Sequence, residues 1–367
     1  MKKKTLLLCF IHGFKGDDNT FGRFPADLKK LVGHALPQLN IELVVYPRYE
    51  TRGDLAVRVA EFRDWLRARV MGLEDAAGTQ SPTTSPSVRT VFVTHSMGGI
   101  VAADTLLSIL DDRNNPRNFM FPYIQGILSF DTPYLGLSPA MAAHGADTNL
   151  RTASTAISQV STLTSGFFAS RAATESSKAL TQAPSEEGKG KEPEAPNFWS
   201  QWGRVVAYAG AASALAAGGA VAYFKRDELG QGWGWVSSHL EFVGVLLKKE
   251  ELKERAERVS RIEGVGFANL YTALGDRGGD KGDRTFCILP QRGRGWFRCI
   301  NTKAQDEVNA HVGMFHSDTN PRYYDMLDLA KELVGGWATN EWSSYPGPSS
   351  RGVGISVSGG TPGRADE

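Results

Sequence analysis

Six consecutive residues, Thr94-His95-Ser96-Met97-Gly98-Gly99, carry the clearest chemical signal in this 367-residue chain. Ser96 follows a β-branched run and precedes an amphipathic stretch, so it can sit on a sharp strand-to-helix turn with its hydroxyl presented for nucleophilic attack. Such a turn needs small residues two positions to either side of the serine. Gly98 meets that need, whereas Thr94 stands where glycine is usual. A serine that merely caps an ordinary turn is the competing reading. Upstream, Ile11-His12-Gly13-Phe14-Lys15-Gly16 closes another apolar run. A loop there can offer one backbone N–H to a developing oxyanion, and the residue after the nucleophile offers a second, which assigns Phe14 and Met97.

A serine hydroxyl needs a base, and the base needs a carboxylate to fix its tautomer and stabilise its positive charge. Of the seven histidines, His12 belongs to the upstream loop, His95 flanks the serine, and His34 lies in a helical pattern. His144 and His239 fall in a stretch without strand signal, which leaves His311 and His316. His311 is preferred, because it follows the last strand pattern across a polar loop and so can reach back to Ser96. Three carboxylates qualify as the acid. Asp131 ends an apolar run directly, a setting in which a carboxylate is otherwise costly. Asp276 follows the next strand pattern, and Asp306 lies close to His311 in sequence. Asp131 is the first choice, with a turn-forming aspartate ahead of Thr132-Pro133 as the alternative. The charged loop 275–283 lacks the closing glutamate and ligand spacing of a calcium loop and reads as a solvated turn. No motif for a metal, a nucleotide or another cofactor is present.

These segments resemble the lipase-like serine esterases of the α/β-hydrolase superfamily, particularly those from fungi. Ile11-His12-Gly13-Phe14, Thr94-His95-Ser96-Met97-Gly98-Gly99 and Phe130-Asp131-Thr132-Pro133-Tyr134-Leu135-Gly136 carry the resemblance. The last is similar to the T-P-H-x-G segment of many lipases, with Tyr134 in the histidine position. The match is good over residues 5–136 and looser over 264–335. It implies Ser/His/acid chemistry on an acyl ester or lipid substrate, and says little about the chain between.

The elements that must hold these groups follow from hydrophobic periodicity. Apolar runs at 6–11, 42–46, 88–94, 124–130, 266–273, 285–289 and 296–300 predict strands. Helical spacing at 24–36, 55–70, 99–110 and 323–334 predicts helices between and after them. Alternation of the two predicts an α/β fold, an α/β-hydrolase with a mostly parallel, doubly wound sheet and a large helical insertion as cap or lid. Residues 1–136 and 264–340 are assigned to the catalytic core and 137–263 to the cap, with a disordered linker at 170–197 and a disordered tail at 343–367.

Lys and Arg number 41 against 40 Asp and Glu, so no global field points to nucleic acid or an anionic surface. Cys9, Cys287 and Cys299 match neither a zinc pair nor a disulfide framework, which fits a reducing, cytoplasmic setting. The basic start and the run to Ile11 look superficially like a signal peptide, but His12-Gly13 interrupts the run and no cleavage site follows, so a buried strand is expected. Residues 205–224 carry no charge over roughly the length of a membrane span. A single crossing conflicts with strands on either side pairing in one sheet. The expectation is a helical hairpin over 203–247 that contacts a membrane surface or serves homo-oligomer contacts, with an ordinary buried cap helix as the alternative.

Overall fold

Runs of consecutive apolar residues belong in strands covered on both faces. In the computed structural model, which describes residues 3–51, 53–112, 119–139, 244–275, 284–291 and 293–339, three strands are buried at every residue: β1 (Thr5–Ile11), β3 (Val88–His95) and β4 (Ile124–Phe130). With β2 (Asn40–Val45), β5 (Gly266–Ala273) and β6 (Trp296–Ile300) they form a six-stranded sheet of order β2-β1-β3-β4-β5-β6. Every neighbouring pair is parallel. The chain steps outward from β1 to β2, returns past β1 to β3 and then proceeds in one direction. The strand order therefore reverses between β1 and β3, and in open parallel sheets ligands bind at the carboxyl ends of strands beside such a reversal.

Alternate residues of β1 supply the two cores, as a period of two requires. Leu7, Cys9 and Ile11 pack with Phe62 and Leu66 of α2 (Leu55–Ala77), Ile100 and Leu106 of α3 (Gly98–Leu110) and Leu252 of α4 (Lys249–Ser260). Leu6, Leu8 and Phe10 pack with Phe24 and Leu28 of α1 (Phe24–Ala35) and Met326 and Leu327 of α6 (Tyr323–Ala338). A short helix, α5 (Glu307–Val312), leads into a 3-10 turn at Gly313–Phe315. This is the doubly wound α/β arrangement that the alternation of strand and helix patterns predicts. α2 begins at the Asp54 cap, whose side chain accepts from Ala56 N at 2.8 Å, an interaction worth about 1 kcal/mol. It continues to Ala77, past the expected end at residue 70, because buried Glu74 in its last turn accepts the backbone N–H groups of Ser87 and Val88.

One expected strand is absent. Residues 285–289 make only isolated antiparallel bridges, Thr285 to Ala273 at the end of β5 and Cys287 to Leu137, and form no strand of their own. The backbone bonds of this segment go to a loop: Ser138 N donates to Phe286 O at 3.0 Å and Ile288 N to Gly136 O at 2.9 Å. Its consecutive buried pair, Phe286 and Cys287, covers the carboxyl end of the sheet instead of lining one face of a strand.

α4 runs along α3, to which Arg255–Asp104 and Arg258–Asp111 ion pairs tie it at 2.5 and 2.8 Å. It is the crossover from β4 to β5. The expected linker 170–197, the uncharged run 205–224, most of the expected cap and the tail 343–367 lie outside the described residues, as does the charged loop 276–283. Among the described residues no helix is long and apolar enough to cross a membrane, and no group of three His, Cys, Asp or Glu side chains is placed to hold a metal ion.

Candidate active site

Three non-glycine residues adopt the left-handed backbone region among the described residues, and all three follow strands at the carboxyl end of the sheet. They are Lys15 after β1, Ser96 after β3 and Asp131 after β4, with φ of 52°, 55° and 49°. Such a conformation costs on the order of 1–3 kcal/mol and persists only where the surroundings over-determine it. Hydrogen bonds anchor each of them here, Ser96 most densely. Ser96 N donates to Phe130 O at 3.0 Å, and Ser96 O accepts from Thr132 Oγ1 at 2.9 Å and Gly99 N at 3.1 Å. Asp131 N donates to Leu270 O at 2.8 Å. Lys15 N donates to Thr51 Oγ1 at 3.3 Å.

Close backbone approach explains the glycines around the serine. A Cβ on Gly98 would lie 2.7 Å from His12 O, and one on Gly13 would lie 2.6 Å from Ser96 Cβ and 3.2 Å from Met97 N. The Gly13–Gly16 turn, closed by Gly16 N donating to Gly13 O at 3.0 Å, thus lies directly against the serine turn. Met97 stands at the amino end of α3, where backbone N–H groups have no intrahelical partner. Thr94 is accommodated in the usual glycine position because its side chain turns into a polar chain beneath the serine. Thr94 Oγ1 donates to Ser129 Oγ at 3.0 Å, Ser129 Oγ to Tyr134 OH at 2.8 Å, and Tyr134 OH to Gly99 O at 3.1 Å. That bond is the structural use of Tyr134.

α5 carries His311, whose Nδ1 lies 3.2 Å from Asp131 Oδ2 across 180 residues of sequence. Both side chains are buried. Asp131 also accepts from Thr272 N at 2.8 Å and from Thr272 Oγ1. These bonds orient the carboxylate without help from bulk water. Asp306 is occupied otherwise: it caps α5, accepting from Asn309 N at 2.7 Å. Asp276 lies outside the described residues. His316 is exposed and stands at the rim. Gly13, Phe14, Ser96, His311, Val312 and His316 line one cavity of about 360 Å³. Larger hollows near Asp54 and near Trp296, of about 610 and 820 Å³, include neither Ser96 nor His311.

Burial pushes the Asp131 carboxyl up to about 6, against the two Thr272 hydrogen bonds that favour its ionised form. Burial also pushes the His311 imidazole down to about 3. At neutral pH the pair is therefore a carboxylate and a neutral imidazole. The carboxylate draws the ring proton to Nδ1, which makes Nε2 the acceptor nitrogen of the ring.

Several residues that shape the site have no local signature in the sequence. Thr272 could have been suspected as a hydroxyl near the end of a buried strand. Asn269 pins the Thr132 peptide, Oδ1 accepting from Thr132 N at 3.2 Å and Nδ2 donating to Thr132 O at 2.9 Å. His95 and Phe286 stack on His311 with ring centroids 4.3 and 3.6 Å away, and nothing in sequence spacing foretells either contact.

No protein-family model matches the sequence, and no curated protein matches it. Solved structures give partial likenesses. Phospholipase PlaB from Legionella pneumophila is 18% identical, with 38% of this chain and 27% of that chain covered and a TM-score of 0.28. The same phospholipase in complex with thio-NAD is 16% identical, with the same coverage and TM-score, 38%, 27% and 0.28. A cutinase-like protein from Cryptococcus sp. is 15% identical over 36% of this chain and 55% of that one, with a TM-score of 0.24. This chain thus spans well under two thirds of the proteins it overlaps.

Proposed function

We propose that this protein is a serine hydrolase of carboxylic esters, with Ser96 as nucleophile, His311 as general base and Asp131 as the acid that orients it. The carrying observation is that a serine in a left-handed strand-to-helix turn shares a cavity with a buried imidazole bonded to a buried carboxylate. Structural ion pairs alone do not call for the strained serine.

The reaction follows from these groups. His311 Nε2 takes the proton of Ser96 Oγ as the oxygen attacks the ester carbonyl carbon. Negative charge moves to the carbonyl oxygen, where the N–H groups of Phe14 and Met97 receive it. Collapse of the tetrahedral species breaks the bond to the alkoxide, which takes the proton from His311. Water, deprotonated by the same imidazole, then attacks the acyl-serine; the bond from the acyl carbon to Ser96 Oγ breaks, Oγ takes the proton back from His311, and the carboxylic acid leaves. The substrate class is an acyl ester, including a lipid ester.

A fluorophosphonate probe tests this. Stoichiometric labelling of the native chain and none of Ser96→Ala, with unchanged melting temperature, is the expected result. A folded native chain that takes no label, or labelling that survives the substitution, rejects Ser96 as nucleophile. Turnover of a short p-nitrophenyl ester should fall by about 10⁶ in Ser96→Ala, the scale seen when a triad nucleophile is removed.

A further inference from the structure

The bond between Asp131 and His311 leaves one motion of the base open. Rotation about the Nδ1···Oδ2 direction preserves the bond yet swings Nε2 away from the serine. Two flat rings block that rotation. His95 stacks on the imidazole at a 29° interplanar angle, and Phe286 at 10°. Two rings this close to one centroid cannot share a face, so the imidazole is held between them. His95 is itself fixed: Phe315 meets its ring edge-on at 5.3 Å. His95 Nε2 lies 3.2 Å from the backbone carbonyl of His311. A carbonyl only accepts, so this nitrogen carries the hydrogen. The residue that precedes the nucleophile in sequence thus also grips the backbone of the base, coupling two groups 215 positions apart by one side chain.

We infer that His95 is a positioning residue for the reaction, holding the His311 imidazole in register with Ser96 through its Nε2–H and its ring face, with Phe286 closing the other face. This rests on the hydrolase reading above. Phe286 is braced in turn, because Arg284, two residues before it, donates to Glu307 of α5 from Nε at 2.8 Å and from Nη2 at 2.7 Å. The stacked ring must also stay uncharged while His311 becomes an imidazolium in the reaction. Burial, and the neighbouring His311, keep His95 well below the ordinary histidine range, against the weaker pull of Asp131.

The test compares native protein with His95→Ala, His95→Gln and Phe286→Leu, reading fluorophosphonate labelling rate against pH and kcat and KM for a short p-nitrophenyl ester. A displacement of about 1 Å at a reacting group costs on the order of 100-fold, so His95→Ala should label about 10- to 100-fold more slowly, with kcat reduced and KM within about twofold. Water reaching the uncovered face should move the acid limb of the labelling profile upward. His95→Gln, which restores an N–H donor, should recover part of the rate, and Phe286→Leu should slow it with KM held. Native rate and an unmoved acid limb in both His95→Ala and Phe286→Leu overturn the inference and leave the hydrolase reading standing. If His95→Ala does not fold, His95→Gln and Phe286→Leu carry the same comparison. A native chain that takes no label overturns the hydrolase reading, and this inference with it.

Discussion

At the amino ends of β3 and β4, buried Glu74 accepts Ser87 N at 3.0 Å and Val88 N at 2.9 Å, while buried Arg89 donates to Gln125 Oε1 at 2.7 Å and lies over the Tyr123 ring. At the carboxyl ends of the same two strands, Ser96 and Asp131 are held in left-handed backbone, and glycines admit contacts that a Cβ would forbid. Both ends bury polar groups in the same sheet. The amino end uses them to tie helix to strand and strand to strand, with no non-glycine residue among those described there in left-handed backbone. The carboxyl end holds strain against a dense set of bonds and leaves a cavity beside it. The proposed chemistry and this tying of helix to strand fall at opposite edges, so substitutions at one edge should spare the property of the other.

Asp131→Asn should break the carboxyl end most severely. It turns the His311 tautomer away from base function, which costs about 10⁴ in kcat. Because burial raises the Asp131 carboxyl to about 6, its ionised form lowers stability as pH rises through that range, so the amide should melt no earlier at pH 7. Gly13→Ala comes next: a methyl group 2.6 Å from Ser96 Cβ must displace the loop or the serine. Turnover should fall by about 100-fold in a protein that still folds. A milder perturbation is acid. As pH falls below about 6 the Asp131–His311 pair takes up a proton, and labelling should drop about tenfold per unit. A profile flat to pH 4 contradicts this assignment. The smallest effect on chemistry is expected from Glu74→Gln, which should cost about 1–3 kcal/mol of stability in denaturant unfolding and leave the labelling rate within twofold. A Glu74→Gln variant that labels poorly while folded would erase the division between the two edges.

The strands and the main helices of the sheet were legible because they are long, apolar and regular in period. Residues 285–289 read as a strand for the same reason, yet Phe286 and Cys287 are buried by a loop and an imidazole, a demand that periodicity does not encode. Ser96 could be singled out since its turn is local: strand, small residue and helix lie within a dozen positions. Asp131 could be put only narrowly ahead of Asp276 and Asp306, on its place at the end of an apolar run, because proximity to His311 depends on how β4, β5 and α5 meet. Asp306 illustrates the difficulty. It is close to His311 in sequence, yet its carboxylate is taken up by the helix start. The partners of His95 and Thr272 are equally long-range, and only the assembled sheet brings them together.

β4 ends at the same edge as the serine, and the path onward to α4 leaves from there. Closing a longer connection between two anchored elements adds only about 0.6 kcal/mol for each doubling of its length. The β4–α4 connection can therefore be lengthened, trimmed or replaced over evolutionary time with little penalty to the sheet. A change in its length leaves Asp131 in place, because Leu270 and Thr272 of β5 and His311 of α5 hold that residue from elements beyond the connection.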